Sequence, residues 1–226
     1  MSGGKLEGSH ERDGSDDAAA REAPRVGGVL LAAGESARMG AHKQLLRVGE
    51  HSLLCRAAEA AIDSVCRPVV VVLGARAERL RDEIAGLPVT VVVNKRWWAE
   101  GLASSIRTGV QGLENHEAGE DVEAVVLLVC DQPFVTSEVI NNLVAAYRRE
   151  ECRIVASEYG GSCGVPALFS RQMFGELKAL GGAEGAKHLI AKHAGEVCRV
   201  PFARGAFDID TPTDYARLRA MSELVG

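Results

Sequence analysis

Three groups of charged residues in this 226-residue chain are spaced for phosphate chemistry. The first lies in Leu31-Ala32-Ala33-Gly34-Glu35-Ser36-Ala37-Arg38-Met39-Gly40-Ala41-His42-Lys43. Gly34 and Gly40 let the backbone approach a ligand closely. Loop N–H groups, with Arg38 and Lys43, can cradle a polyphosphate. The stretch is not a Walker A loop, because Ala41-His42 separates Gly40 from Lys43, and it is not GxGxxG. A plain strand–loop–helix turn with solvated basic side chains would use the same residues. The second group is Asp131, in Cys130-Asp131-Gln132-Pro133 behind the apolar run Glu123–Cys130. An acid at the end of a buried strand needs a cation, and Mg²⁺ takes one or two carboxylates plus phosphate oxygens. Alternatively Asp131 caps the turn that follows. The third group is Asp208-Ile209-Asp210. On extended chain both carboxylates share a face while Ile209 faces the core. Such a pair repels itself unless a metal or a base separates it. The competing role for Asp210 is to cap the last helix.

Other polar residues gather at strand ends. Asn94, Trp97, Trp98, Glu100, Gly101, Ser104 and Ser105 follow the third strand. The tryptophan pair invites base stacking, but at least one of them is expected to fill the core. The histidines show no ligand spacing, and none is assigned a catalytic role. The six cysteines form no CxxC and no zinc-finger pairing with histidine, and they read as reduced, mostly buried thiols. No GxSxG or Ser/His/Asp arrangement is present. The chemistry that remains is metal- and charge-assisted displacement at phosphorus, without a covalent enzyme intermediate.

The elements that must position these residues alternate. Val26–Leu31, Pro68–Leu73, Val89–Val93 and Glu123–Cys130 read as buried strands. Helical spacing covers Ser52–Ser64, with Ser52 as cap, then Ala75–Ala85, 100–113 and Thr136–Arg149. Strict alternation predicts an α/β fold of three layers: a mostly parallel, Rossmann-like sheet with helices on both faces. On such a sheet all the strand-end groups fall on one edge. Beyond residue 150 the order loosens, with short strands at 152–157 and 196–201. Helices are expected at 170–179, at 184–194 and from Thr213 to about Leu224, with Pro212 at the start of the last.

Composition narrows the partners. A formal net charge of −5 offers no general pull on nucleic acid or anionic membrane. Aromatic residues at 4% do not make a platform for single strands. No apolar run reaches the ~18 residues of a membrane span, and the N-terminus lacks a signal-peptide core. A cytoplasmic protein is expected. Residues 1–24 hold six acids against three bases with no apolar periodicity, and they read as a disordered acidic tail ahead of one domain, 25–226.

With these residues assembled, the chain resembles the MobA-like nucleotidyltransferases. Leu31–Leu46, Asn94…Trp98-Ala99-Glu100-Gly101…Ser104-Ser105, Cys130–Pro133, Gly164–Phe169 and Asp208–Pro212 match its motifs in order, over about residues 26–222. Among its subgroups the chain is most similar to the molybdenum cofactor cytidylyltransferases, which join CMP from CTP to molybdopterin-bound molybdenum. The resemblance implies a nucleotide-diphospho-sugar transferase type of fold. It also implies a cytoplasmic transferase of molybdenum cofactor biosynthesis that uses Mg²⁺, releases pyrophosphate and has a molybdoenzyme as client. Carried over, Leu31, Ala32, Ala33, Gly34, Arg38 and Lys43 would contact nucleotide and triphosphate. Asn94 and Ser105 would approach base and ribose. Asp131 would bind Mg²⁺ with Asp210, and Asp208 alongside. Guanylyltransferases usually carry Ala-Gly-Gly where this chain has Ala32-Ala33-Gly34, so the Ala33 side chain would favour cytosine over guanine. One motif departs from the family: Gly182-Ala183-Glu184-Gly185-Ala186-Lys187 replaces Gly-Asp-x-Gly-Ala-Arg. The change to Lys187 loses bidentate recognition. It leaves open a different phosphorylated acceptor, such as a sugar phosphate, and a guanylyltransferase. A non-catalytic cofactor chaperone is the reading of another class.

Overall fold

The computed structural model describes residues 24–35, 39, 42–150, 152–182 and 184–223. The tail reading therefore falls almost wholly outside the described residues. In chain order the elements begin with β1 (Arg25–Ala32), the small strands β2 (Arg47–Val48) and β3 (His51–Ser52), and α1 (Leu53–Ile62). Next come β4 (Val69–Leu73), α2 (Ala77–Glu83), β5 (Thr90–Val93), α3 (Trp97–Glu114), β6 (Val122–Val129) and α4 (Ser137–Glu150). The second half holds β7 (Ile154–Tyr159), β8 (Ser162–Ser170), α5 (Phe174–Ala179), α6 (Ala186–Lys192), β9 (Val197–Pro201) and α7 (Pro212–Glu223).

Seven strands form one sheet in the order β5-β4-β1-β6-β8-β7-β9. The β1–β4, β1–β6, β4–β5 and β7–β9 pairs are parallel, while β8 runs antiparallel to both β6 and β7. The all-apolar runs explain the centre of the sheet. Every residue of β4 is buried, as is β1 after its first residue, because helices cover both faces. One face packs Val29, Leu31, Val70 and Leu127 against α3, α5 and α6. The other packs Leu30, Val71, Leu73 and Val126 against α1, α2 and α4. Burying each such side chain contributes roughly 1.5–3 kcal/mol.

The loosened order past residue 150 has a local cause. Gly160 and Gly161, at φ 58 and 74, make a two-residue hairpin turn that reverses β7 into β8. Helices α5 and α6 are shorter than expected, because a 3-10 turn at Arg171–Met173 precedes one and Ala194–Glu196 follows the other. The reading of all six cysteines as reduced is corrected. The parallel register sets Ile154 beside Val197 and Val155 beside Cys198, and Cys152 and Cys198 form a disulfide with a Cα–Cα distance of 6.1 Å. Among the described residues no helix is long and apolar enough to cross a membrane.

A third, smaller core lies at the carboxyl edge of the parallel strands. Ile209 and Leu218 from the C-terminal segment pack there with Met39, Val48 and Leu53, and Phe134, Phe207 and Tyr215 border them. This cluster carries the last 20 or so residues back across the sheet to the strand ends.

Candidate active site at the carboxyl edge of the sheet

The first strand delivers its loop into a cleft of about 380 Å³ lined by Ala33, Gly34, Lys43, Gln44, Ser105 and Asp131, among others. Leu31 and Ala32 line it too, so the described residues of the expected nucleotide loop sit together. Arg38 and Gly40 lie outside the described residues. Ala33 is 4% exposed, and its backbone carbonyl accepts from Ala75 N at 3.0 Å. Gly74 makes this close approach feasible: a Cβ there would lie 2.6 Å from the Ala33 oxygen and 2.9 Å from Trp97 Cγ. Gln44, almost fully buried, donates from Nε2 to Gly34 O at 2.6 Å and to Ala32 O at 3.3 Å. It ties down two carbonyls of the loop from within the cleft wall.

Lys43 joins the three groups of charge. Its ammonium lies 2.5 Å from Asp131 Oδ2 and 3.2 Å from Asp210 Oδ1. Burial pulls the Lys43 pKa down, but the charge and hydrogen bond of Asp131, helped by Cys130 and Asp210, more than reverse that and leave it raised. Other side chains cap the helices that follow the two aspartates. Thr136 Oγ1 accepts from Val139 N at the start of α4. At the start of α7 the cap is reciprocal: Thr211 N donates to Asp214 Oδ2 at 2.9 Å and Asp214 N to Thr211 Oγ1 at 3.3 Å. The carboxylate of Asp210 is thereby turned toward Lys43.

The C-terminal segment is clasped to the Asp131 loop by backbone and side chain. Ile209, fully buried, donates its N–H to Asp131 O at 2.9 Å. Gln132 Nε2 donates to Gly205 O at 3.0 Å, the Phe134 and Phe207 rings meet edge-on at 5.4 Å, and Arg204 stacks 3.4 Å above Phe134. Asp208 remains exposed at the rim. Partial withdrawal of its carboxyl from water, followed by the charge of Asp131, raises its pKa, with Asp210 adding and Gln132 and Lys187 opposing. Lys187 thus lies near enough to Asp208 to act on its charge. It also borders Gly164, where a Cβ would lie 3.1 Å from Lys187 Cε. Ala183, the other departure from the motif, is outside the described residues.

On the far wall, Asn94 stands one layer behind the cleft. It is 2% exposed, and Nδ2 donates to Ser104 Oγ at 2.7 Å and to Ser105 Oγ at 3.0 Å. Its Oδ1 accepts from Arg96 N, so the amide orders the start of α3 and presents Ser105 to the cleft. Helix α3 is broken at Gly101, with φ 61 and ψ −148, a region open in practice only to glycine. Trp97 is partly buried against the core, and Trp98 is 75% exposed at the cleft mouth. The pair divides between packing and surface.

Sequence reasoning missed Gln44, Gly74 and Gln132 as positioning residues. Gln44 and Gln132 each follow a charged residue of interest, and that adjacency was the available signal. Asp131 and Asp210 converge on one cationic centre from different segments, so the donor set fits a divalent cation with phosphate oxygens completing its shell.

A known domain family, the MobA-like NTP transferase domain, matches residues 28–197, which include Lys43 and Asp131. The chain belongs to that family. Purine catabolism protein PucB of Bacillus subtilis is 31% identical, over 88% of this chain and 98% of that protein. A molybdenum cofactor guanylyltransferase of Mesorhizobium japonicum is 29% identical, over 85% and 93%. Among solved structures, Rv0371c of Mycobacterium tuberculosis in complex with manganese is 28% identical with a TM-score of 0.71, covering 88% of this chain and all of that one. The TM-score shows that the mycobacterial protein shares this chain's fold, a mostly parallel sheet with helices on both faces.

Proposed function

We propose that the chain is a divalent-metal-dependent nucleotidyltransferase that moves CMP from CTP to a molybdopterin-type acceptor and releases pyrophosphate. The observation that carries this reading is the Lys43 ammonium held between Asp131 and Asp210 at the mouth of the Ala33–Gly34 cleft. A divalent ion on Asp131 and Asp210, with Asp208 beside them and Mg²⁺ as the expected species, would neutralise charge on the triphosphate and the attacking phosphate. The manganese complex of the mycobacterial relative supports dependence on a divalent metal. Lys43 holds the two carboxylates in register, and with a metal on them its charge would be available to the phosphates. Gln44 and Gly74 hold the carbonyls of Ala32, Ala33 and Gly34 in position. Ser105, set by Asn94, offers a hydroxyl to base or ribose. Ala33 narrows the base site toward cytosine.

The guanylyltransferase relative supports a second reading in which GTP is the donor. A pyrophosphate-release screen of the four nucleoside triphosphates, each with Mg²⁺ or Mn²⁺, against molybdopterin and several sugar phosphates tests both. CTP with molybdopterin should give the fastest release. Faster release from GTP replaces the base assignment, and turnover only with a sugar phosphate replaces the acceptor. No release under any combination leaves the chaperone reading.

A further inference from the structure

A second group of ligating side chains stands apart from Lys43, Asp131 and Asp210. His51, in β3, immediately precedes the capping residue of α1, and Cys55 and Glu59 follow on the first two turns of that helix. Residues four apart on a helix share a face, so Cys55 and Glu59 point the same way. Ser52 Oγ accepts from Cys55 N at 3.2 Å and fixes the first turn, while the Val48–His51 pairing fixes the strand that carries the imidazole. Leu53, Leu54, Ala58 and Ala61 bury the other side of the helix. The result is convergence. His51 Nδ1 lies 2.8 Å from Glu59 Oε2, Cys55 Sγ lies 3.5 Å from Glu59 Oε1, and one ligand atom from each residue falls within 4.8 Å of the others.

Around a tetrahedral centre with metal–nitrogen and metal–oxygen distances of about 2.0–2.2 Å and metal–sulfur of about 2.3 Å, ligand atoms stand roughly 3.3–3.8 Å apart. The Cys55–Glu59 spacing already lies in that range, and the His51–Glu59 spacing is a little short of it. Imidazole, thiolate and carboxylate together select zinc-class ions and discriminate against Mg²⁺ and Ca²⁺, which want oxygen alone. We infer that His51, Cys55 and Glu59 form a three-ligand surface site for a borderline-soft divalent cation of the zinc class, with its fourth position open to water. Partial burial first, then the negative charge of Glu59, pushes the Cys55 thiol up to about 11, so the metal-free group keeps its proton. Binding releases that proton to solvent as the sulfur–metal bond forms. Glu83 and Arg47 flank the site, the first raising and the second lowering the same thiol.

The position gives the cation a structural effect. Leu53 N donates to Leu46 O at 2.9 Å, so α1, the β2–β3 hairpin and the turn that carries Lys43 are tied in series. A cation across His51 and Glu59 clamps the hairpin to the helix.

The test is a Co²⁺ titration of the full chain, because a cobalt–thiolate bond gives a near-ultraviolet charge-transfer band that oxygen ligands at Asp131 and Asp210 do not. One equivalent should produce the band, Zn²⁺ should displace it, Cys55→Ser should abolish it, and His51→Ala should weaken binding by about tenfold or more. A band that survives Cys55→Ser, or no band at all, overturns the site. If Cys55→Ser does not fold, Zn²⁺ protection of Cys55 from a thiol reagent in the wild-type chain decides the question. Protection supports the site, and equal labelling with and without Zn²⁺ overturns it.

Discussion

The backbone N–H of Ile209 donates to the carbonyl of Asp131 at 2.9 Å, and this bond lays the second carboxylate-bearing segment against the end of β6. Because Ile209 itself is fully buried, Asp208 and Asp210 are forced outward on the same side. The carboxylates meet because a hydrophobic side chain between them is anchored.

Removing the central carboxylate isolates the chemistry from the fold. Asp131→Asn should lower kcat by about 10²–10³, the scale of a lost electrostatic contact to the transition state. Its circular dichroism spectrum should remain that of the parent. Near-parental turnover in a pyrophosphate assay would contradict the role given to Asp131.

Lys43→Ala should raise KM for the nucleoside triphosphate more than it lowers kcat. The same substitution tests linkage. The Lys43 pKa is raised in the folded chain, so its contribution to stability is fully present below the ordinary value of 10.5 and fades as pH rises through the folded value. The gap in Tm between parent and variant should therefore narrow above that pH.

Gly101→Ala places a Cβ at φ 61 and ψ −148, which costs about 1–3 kcal/mol. A lower Tm together with weaker nucleotide binding is expected, since Gly101 and Ser105 line the same cleft. An alanine variant with parental Tm would mean that the kink is absent in solution.

Ala33→Gly should move donor preference from CTP toward GTP by about 10-fold or more, the range for one carbon in a shaped pocket. The ratio of kcat/KM for the two nucleotides measures it. An unchanged ratio would place base selection elsewhere on the cleft wall.

Away from the cleft, Glu176 accepts from Lys192 at 2.7 Å and pairs with His193 at 3.0 Å. The His193 hydrogen bond, then that of Lys192, holds the Glu176 pKa down at about 2. Stability from this group is present above the ordinary value of 4.5 and is lost as pH falls through about 2. Glu176→Gln should flatten that part of an acid-unfolding curve measured by fluorescence.

The parallel half of the fold was legible because β1, β4 and β6 are apolar on both faces, a pattern that few other structures allow. The β7–β8 hairpin was not, since Gly160-Gly161 reads equally as an open loop until its partner strand is known. Lys43, Asp131 and Asp210 were legible as charges at strand ends, but their mutual contact depends on a register no single segment encodes. The family resemblance implied a nucleotide contact for Asn94; its burial behind Ser105 follows from the packing of α3. His51, Cys55 and Glu59 recur at every fourth residue, a helical spacing visible in the chain but hidden from a search for zinc-finger intervals. The Cys152–Cys198 pairing depends on the edge register of β9 and left no local signal.

The clasp of Ile209 on Asp131 also has a meaning in time. All seven strands of the main sheet are in hand once Pro201 has been synthesised, yet Asp210 comes later. A chain that has formed its sheet has therefore not yet gathered both carboxylates. Competence for chemistry depends on a separate docking of the final segment onto the finished scaffold.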